Sequence, residues 1–150
     1  MSTPANLLEQ ALEVGRSRSL PYAGALAPRD AHALREALPD AVLVDVRTRA
    51  EWAYVGRVPA AIEIEWNHYP AGRNADFAAQ LQAAVPDRTR PLLFLCRSGG
   101  RSAAAAEAAT QLGYTLAINV LEGFEGDPDA AGHRNSTGGW RHAGLPWAQS

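Results

Sequence analysis

The sequence predicts an α/β protein built on a parallel sheet covered by helices on both faces. Two runs, AVLVDV (Ala41–Val46) and PLLFLC (Pro91–Cys96), are almost continuously apolar, as strands of a covered parallel sheet must be. Segments of helical periodicity alternate with short β-rich runs, the pattern of repeated strand–helix units. There is no internal repeat and no linker long enough to divide the 150 residues, so one domain over 1–150 is expected. Within it, 1–27 reads as an N-terminal helix and linker, and 127–150 as a Gly-rich tail packed on the domain.

Ala5 to Val14 carries Leu7, Leu8, Ala11 and Leu12 at helical spacing, with Gly15 as the expected stop. YAGAL (Tyr22–Leu26) reads as a brief strand, and Pro28 opens an amphipathic helix, PRDAHALREAL. After the Ala41–Val46 strand, Thr48 and Glu51 form a capping-box pattern at the head of a short helix. Gly56 and Pro59 punctuate a turn, and Ile62 and Ile64 alternate with glutamates in a short strand. NADFAAQLQAAV (Asn74–Val85) is helical, with Phe77, Leu81 and Val85 on one face. The strand ending at Cys96 leads into an Ala-rich helix, SAAAAEAATQLG, closed by Gly113. TLAINVLEG supplies the last strand. Trp140 and Trp147 in the tail are costly to leave in water, so both are expected to be packed.

Composition narrows the function. With a net charge of −2 and no basic block, a nucleic-acid partner is not expected. No apolar run approaches the ~18 residues of a membrane helix, and the first residues lack a secretory pattern. A single cysteine cannot close an internal disulfide, which suits a reducing, cytoplasmic setting. The sequon at Asn135 would matter only in a secreted protein. No metal site is expected. Asp127, Asp129 and Gly132 mimic the start of a calcium loop, but position 12 is Gly138, where a bidentate Glu is required. The histidines are scattered, and they read as solvated surface residues.

The chemistry concentrates at LFLCRSGGRS. Cys96 ends an apolar strand, where α/β sheets place ligands. Arg97 to Ser102 then turn from strand to helix, and Gly99 and Gly100 let backbone N–H groups converge into an anion cradle. That field, with Arg97 and Arg101, favours a thiolate. A lone cysteine is usually a small core hydrophobe. Two arginines and two glycines beside it are poor material for an inert turn.

These residues resemble the rhodanese family of sulfurtransferases. The matching segments are Leu43–Ile64, Leu92–Tyr114, Val120–Gly126 and Gly138–Pro146, in register from about Pro28 to Pro146. The resemblance implies a three-layer sandwich with a five-stranded parallel sheet. It implies that Cys96 is the nucleophile and carries a sulfane sulfur as a persulfide, with no cofactor. Arg97, Ser98, Gly99, Gly100, Arg101 and Ser102 would form the substrate loop. Asp45 and Arg47 would support it through a structural salt link, with Glu51 a further partner for Arg47. The implied partners are a small anionic sulfur donor such as thiosulfate and a cyanide or thiol acceptor, or a sulfur-relay protein. Many relatives read Gly-His-Ile-Pro-Gly-Ala where this chain has Gly56-Arg57-Val58-Pro59-Ala60-Ala61, and Asp127–Asn135 looks like an insertion.

Two rivals remain open from the sequence. Phosphatase-like and arsenate reductase-like enzymes place five residues between Cys and Arg; here four separate Cys96 from Arg101, making a pocket suited to sulfur. A non-catalytic sulfur-carrier or interaction module would keep the same loop and receive sulfur only from a protein.

Overall fold

The computed structural model describes residues 3–149. Five strands, β1 (Gly24–Leu26), β2 (Val42–Asp45), β3 (Ile62–Glu63), β6 (Leu92–Leu95) and β7 (Ala117–Val120), form one sheet in the order β1-β7-β6-β2-β3. Every pairing in it is parallel. From β2 the chain moves outward to β3, and from β6 it moves the opposite way to β7. The order therefore reverses between β2 and β6, and the crevice at their carboxyl ends is where such sheets bind ligands.

Alternation along the two central strands builds both cores. Val42, Val44, Val46, Leu92, Phe94 and Cys96 face one layer, with α4 (Phe77–Ala84) and α5 (Gly100–Gln111) packed there through Phe77, Leu81, Ala105 and Ala109. Leu43, Leu93 and Leu95 face the other, against Leu7 and Ala11 of α1 (Pro4–Ser17) and Ala31 and Leu34 of α2 (Pro28–Ala37). Alanines on the inner face of α5 let its backbone lie close to the sheet.

Three sequence expectations change. Gly15 does not stop α1; the helix runs through it to Ser17. A Cβ at that position would overlap the Ala23 carbonyl, so the glycine serves close packing against the approach to β1. Trp140 is fully buried, but Trp147 is 39% exposed, resting on Gly56 and beneath the Arg141 guanidinium. His32 is not a solvated histidine either: its ring meets Trp140 edge-on at 5.5 Å and is mostly covered.

A hairpin that the sequence pattern did not announce lies beyond β3. β4 (Asn67–His68) and β5 (Gly72–Arg73) pair antiparallel, and Arg73 stacks over Trp66 at 3.8 Å. The tail folds back on the domain. Arg57 and Ala148 exchange backbone hydrogen bonds at 2.8 and 2.9 Å, and Arg141 Nη1 donates to the Val55 carbonyl at 2.8 Å.

Candidate active site

Cys96 stands one residue beyond β6, and Val46 N–H still donates to the Leu95 carbonyl beside it. Its side chain is 1% exposed. The Gly99 amide donates to Sγ at 3.1 Å. Gly99 takes φ +117°, a conformation open to glycine, and it caps α5. Of the loop amides, that of Gly99 is the one turned onto Sγ; Gly100 and Arg101 already belong to the first turn of α5.

On its other side Sγ lies 3.2 Å from Ser102 Oγ, which donates to Asn119 Oδ1 at 2.6 Å. Asn119 Nδ2 in turn donates to the Gly99 carbonyl at 3.3 Å, which sets the amide's orientation. Ser102 has one proton, and Asn119 holds it. The Ser102 oxygen therefore faces Sγ as an acceptor and has no proton left to give it. Asn119 sits on β7, far away in sequence, and sequence reasoning did not single it out.

The loop is also stitched from above. Phe124 N–H donates to the Cys96 carbonyl at 2.8 Å, and Glu125 N–H to the Arg97 carbonyl at 2.9 Å. Gly123 permits this approach: it sits at φ +63°, and a Cβ there would overlap the Arg97 carbonyl.

Glu51 pairs with Arg101, not with Arg47. Arg101 Nη1 and Nη2 donate to its two carboxylate oxygens at 2.7 and 2.9 Å. Glu51 completes the capping box of α3 (Arg49–Tyr54) at the same time, accepting from Thr48 N at 3.1 Å. Burial alone would push the Glu51 carboxyl up, but the hydrogen bonds and charge of Arg101, with those from Thr48, hold it below the ordinary carboxylate range. The same pair, chiefly through its hydrogen bonds, raises Arg101 against the cost of burial.

Arg47 instead pairs with Asp45, both fully buried. Nη2 donates to Asp45 Oδ2 at 2.7 Å and to the Gly56 carbonyl at 2.9 Å, while the guanidinium lies 4.1 Å from the Phe124 ring centre. Asp45 points to the α1/α2 side of the sheet, opposite Cys96, as the strand alternation requires. This pair fixes the Gly56 turn and Phe124, and it does not face the cavity.

That cavity, about 750 Å³, lies beside the loop and meets it at Arg97 and Arg101, while the buried Cys96 is not part of its lining. Arg97, Arg101, Glu51 and Glu125 give it charge; Tyr69 and Pro70 of the hairpin turn, with Val55, give it apolar wall. Arg97 is exposed at its edge. No cluster of three or more metal-ligating side chains occurs among the described residues. The Asp129 carboxylate is taken up within its own loop by Ala131 N, His133 N and Ser136 Oγ.

The chain as a whole is similar to known proteins. The family model described as Rhodanese-like domain matches residues 28–126. An uncharacterized protein of Rickettsia conorii is 38% identical over 115 residues, covering 72% of this chain and 83% of the relative. The crystal structure of Rv0390 from M. tuberculosis is 45% identical with a TM-score of 0.78, covering 86% of this chain and 99% of that one. The polysulfide-sulfur transferase homodimer of Wolinella succinogenes shares the fold at 22% identity and a TM-score of 0.58, over 84% and 78% of the two chains. The chain belongs to the rhodanese-like domain family.

Proposed function

We propose that the protein is a sulfurtransferase that carries sulfane sulfur as a persulfide on Cys96. The observation that supports this most directly is Sγ lying at the base of a four-residue loop, against the Gly99 amide and closed by Arg101. The Cys96 thiolate attacks the outer sulfur of a donor such as thiosulfate. The S–S bond of the donor breaks, sulfite leaves with its electron pair, and Cys96 holds the sulfur. A thiolate or cyanide acceptor then attacks that outer sulfur, and the bonding pair returns to Sγ. This is covalent catalysis in two half-reactions, without external oxidant or reductant.

Arg97 meets the anionic donor at the entrance, and the Ser98–Gly100 backbone with the α5 dipole offsets negative charge on the transferred sulfur. Arg101, anchored by Glu51, fixes the far side of the loop, and Ser102 positions Sγ. A thiol that must stay reduced between turnovers suits the cytoplasm.

Mass spectrometry after thiosulfate treatment should show the gain of one sulfur atom, absent in Cys96→Ser. Thiocyanate should then form on adding cyanide. No adduct with any donor would sink the reading. The near-complete burial of Cys96 favours a second reading, a carrier loaded only by a partner protein. Loading by a desulfurase but not by thiosulfate would select it.

A further inference from the structure

The charges around the cavity are not all balanced within the protein. Arg101 is matched by Glu51, and His68 Nδ1 lies 2.9 Å from Glu65. Arg97 and Glu125 both line the same cavity, and neither has an ion-pair partner among the described residues. They are immediate neighbours, since Glu125 N–H bonds to the Arg97 carbonyl at 2.9 Å, yet their side chains do not pair with one another. The cavity beside the loop thus carries, among the described residues, one cation and one anion without ion-pair partners, on backbone segments that are hydrogen-bonded to one another.

Thiosulfate, as donor, accounts for only one of these two charges. It is a small dianion, welcomed by Arg97 and repelled by Glu125. The cavity lies within the ~300–1,000 Å³ range of sites that enclose organic ligands, and Tyr69, Pro70 and Val55 offer apolar contact. Building on the sulfurtransferase reading, we infer that the acceptor is a zwitterionic organic thiol, one bearing both a carboxylate and an ammonium group. The carboxylate would meet Arg97 and the ammonium Glu125. In the transfer the acceptor thiolate forms a bond to the outer sulfur of the Cys96 persulfide, and the bond from that sulfur to Sγ breaks. The electron pair stays on Sγ, leaving the acceptor as an organic persulfide.

The experiment measures sulfur transfer from persulfidated full-length protein to cysteine, 3-mercaptopropionate and cysteamine, each at equal thiolate concentration. Cysteine carries both charges, and the others carry one each. Cysteine should show the highest kcat/KM. Glu125→Gln should raise KM for cysteine and cysteamine about fivefold, leave 3-mercaptopropionate no worse, and lower KM for thiosulfate as donor. Arg97→Gln should weaken cysteine, 3-mercaptopropionate and thiosulfate instead. A structural role for Glu125 would move every substrate in the same direction. Parallel changes, or wild-type rates indifferent to acceptor charge, would overturn the inference while leaving persulfide loading intact. Failure of the sulfurtransferase reading itself is separate: Cys96 would then gain no sulfur at all.

Discussion

Glu51 grips Arg101 with both carboxylate oxygens, across 50 residues of sequence. The carboxylate that caps α3 therefore also holds the first turn of α5, so the β2 and β6 sides of the crevice share one charged clasp. A bidentate, charge-assisted pair fixes orientation as well as distance.

Replacing Glu51 by Gln removes the charge while keeping one acceptor. We expect a stability loss of about 1–2 kcal/mol, discounted for partial exposure, and a larger fall in sulfur-transfer rate. The sign with pH follows from the lowered Glu51 carboxyl. Its contribution is complete above the ordinary carboxylate range and is lost as pH falls through the depressed folded value. Melting curves of wild type and Glu51→Gln should therefore converge in acid. A gap that stays constant with pH would refute the ion-pair account.

Asp45 and Arg47 are both fully buried, so removing one leaves the other charged and unpaired. Asp45→Ala should cost about 3–5 kcal/mol in urea unfolding. The double variant Asp45→Leu/Arg47→Met should recover a large part of that. If the double variant is as unstable as the single, the loss lies in packing and not in the stranded charge.

Ala60 sits at φ +62°, where its Cβ is strained. The side chain is exposed, so nothing is lost by trimming it. Ala60→Gly should stabilise the protein by about 1 kcal/mol, part of the relief being offset by glycine's entropy in the unfolded chain. A lower urea midpoint would contradict this.

Asn119 occupies the Ser102 proton that a Cys96 thiolate would otherwise receive. Asn119→Leu frees that hydroxyl to donate to sulfur, and alkylation of Cys96 by iodoacetamide at neutral pH should quicken about tenfold. In a Ser102→Ala background the gain should vanish. If it persists, the substitution acts by loosening the loop through the lost bond to the Gly99 carbonyl.

Local signals were legible where the chain carries its own instructions. The central strands announced themselves by continuous apolarity, and Thr48 and Glu51 announced the α3 cap, because each pattern is complete within a few residues. The β4–β5 hairpin was not legible: Asn67–Arg73 has no alternation, and its place is set by pairing and by Arg73 on Trp66. Gly15 misled for a related reason. A glycine near a helix end resembles a stop, and only the approach of Ala23 shows that it is a contact.

By itself, then, the sequence determined the α/β class, the two covered central strands, and a strand-end cysteine followed by a helix with four residues before Arg101. The family resemblance, not spacing, pointed to Asp45 and Arg47 as a structural salt link, and the buried pair is present. Tertiary structure alone decided that Glu51 turns to Arg101, that Asn119 commands Ser102, and that Glu125 stands free beside Arg97. Those relationships bring together residues 50, 17 and 28 positions apart. Spacing along a chain carries no information about such distances until the sheet order brings the strand ends together.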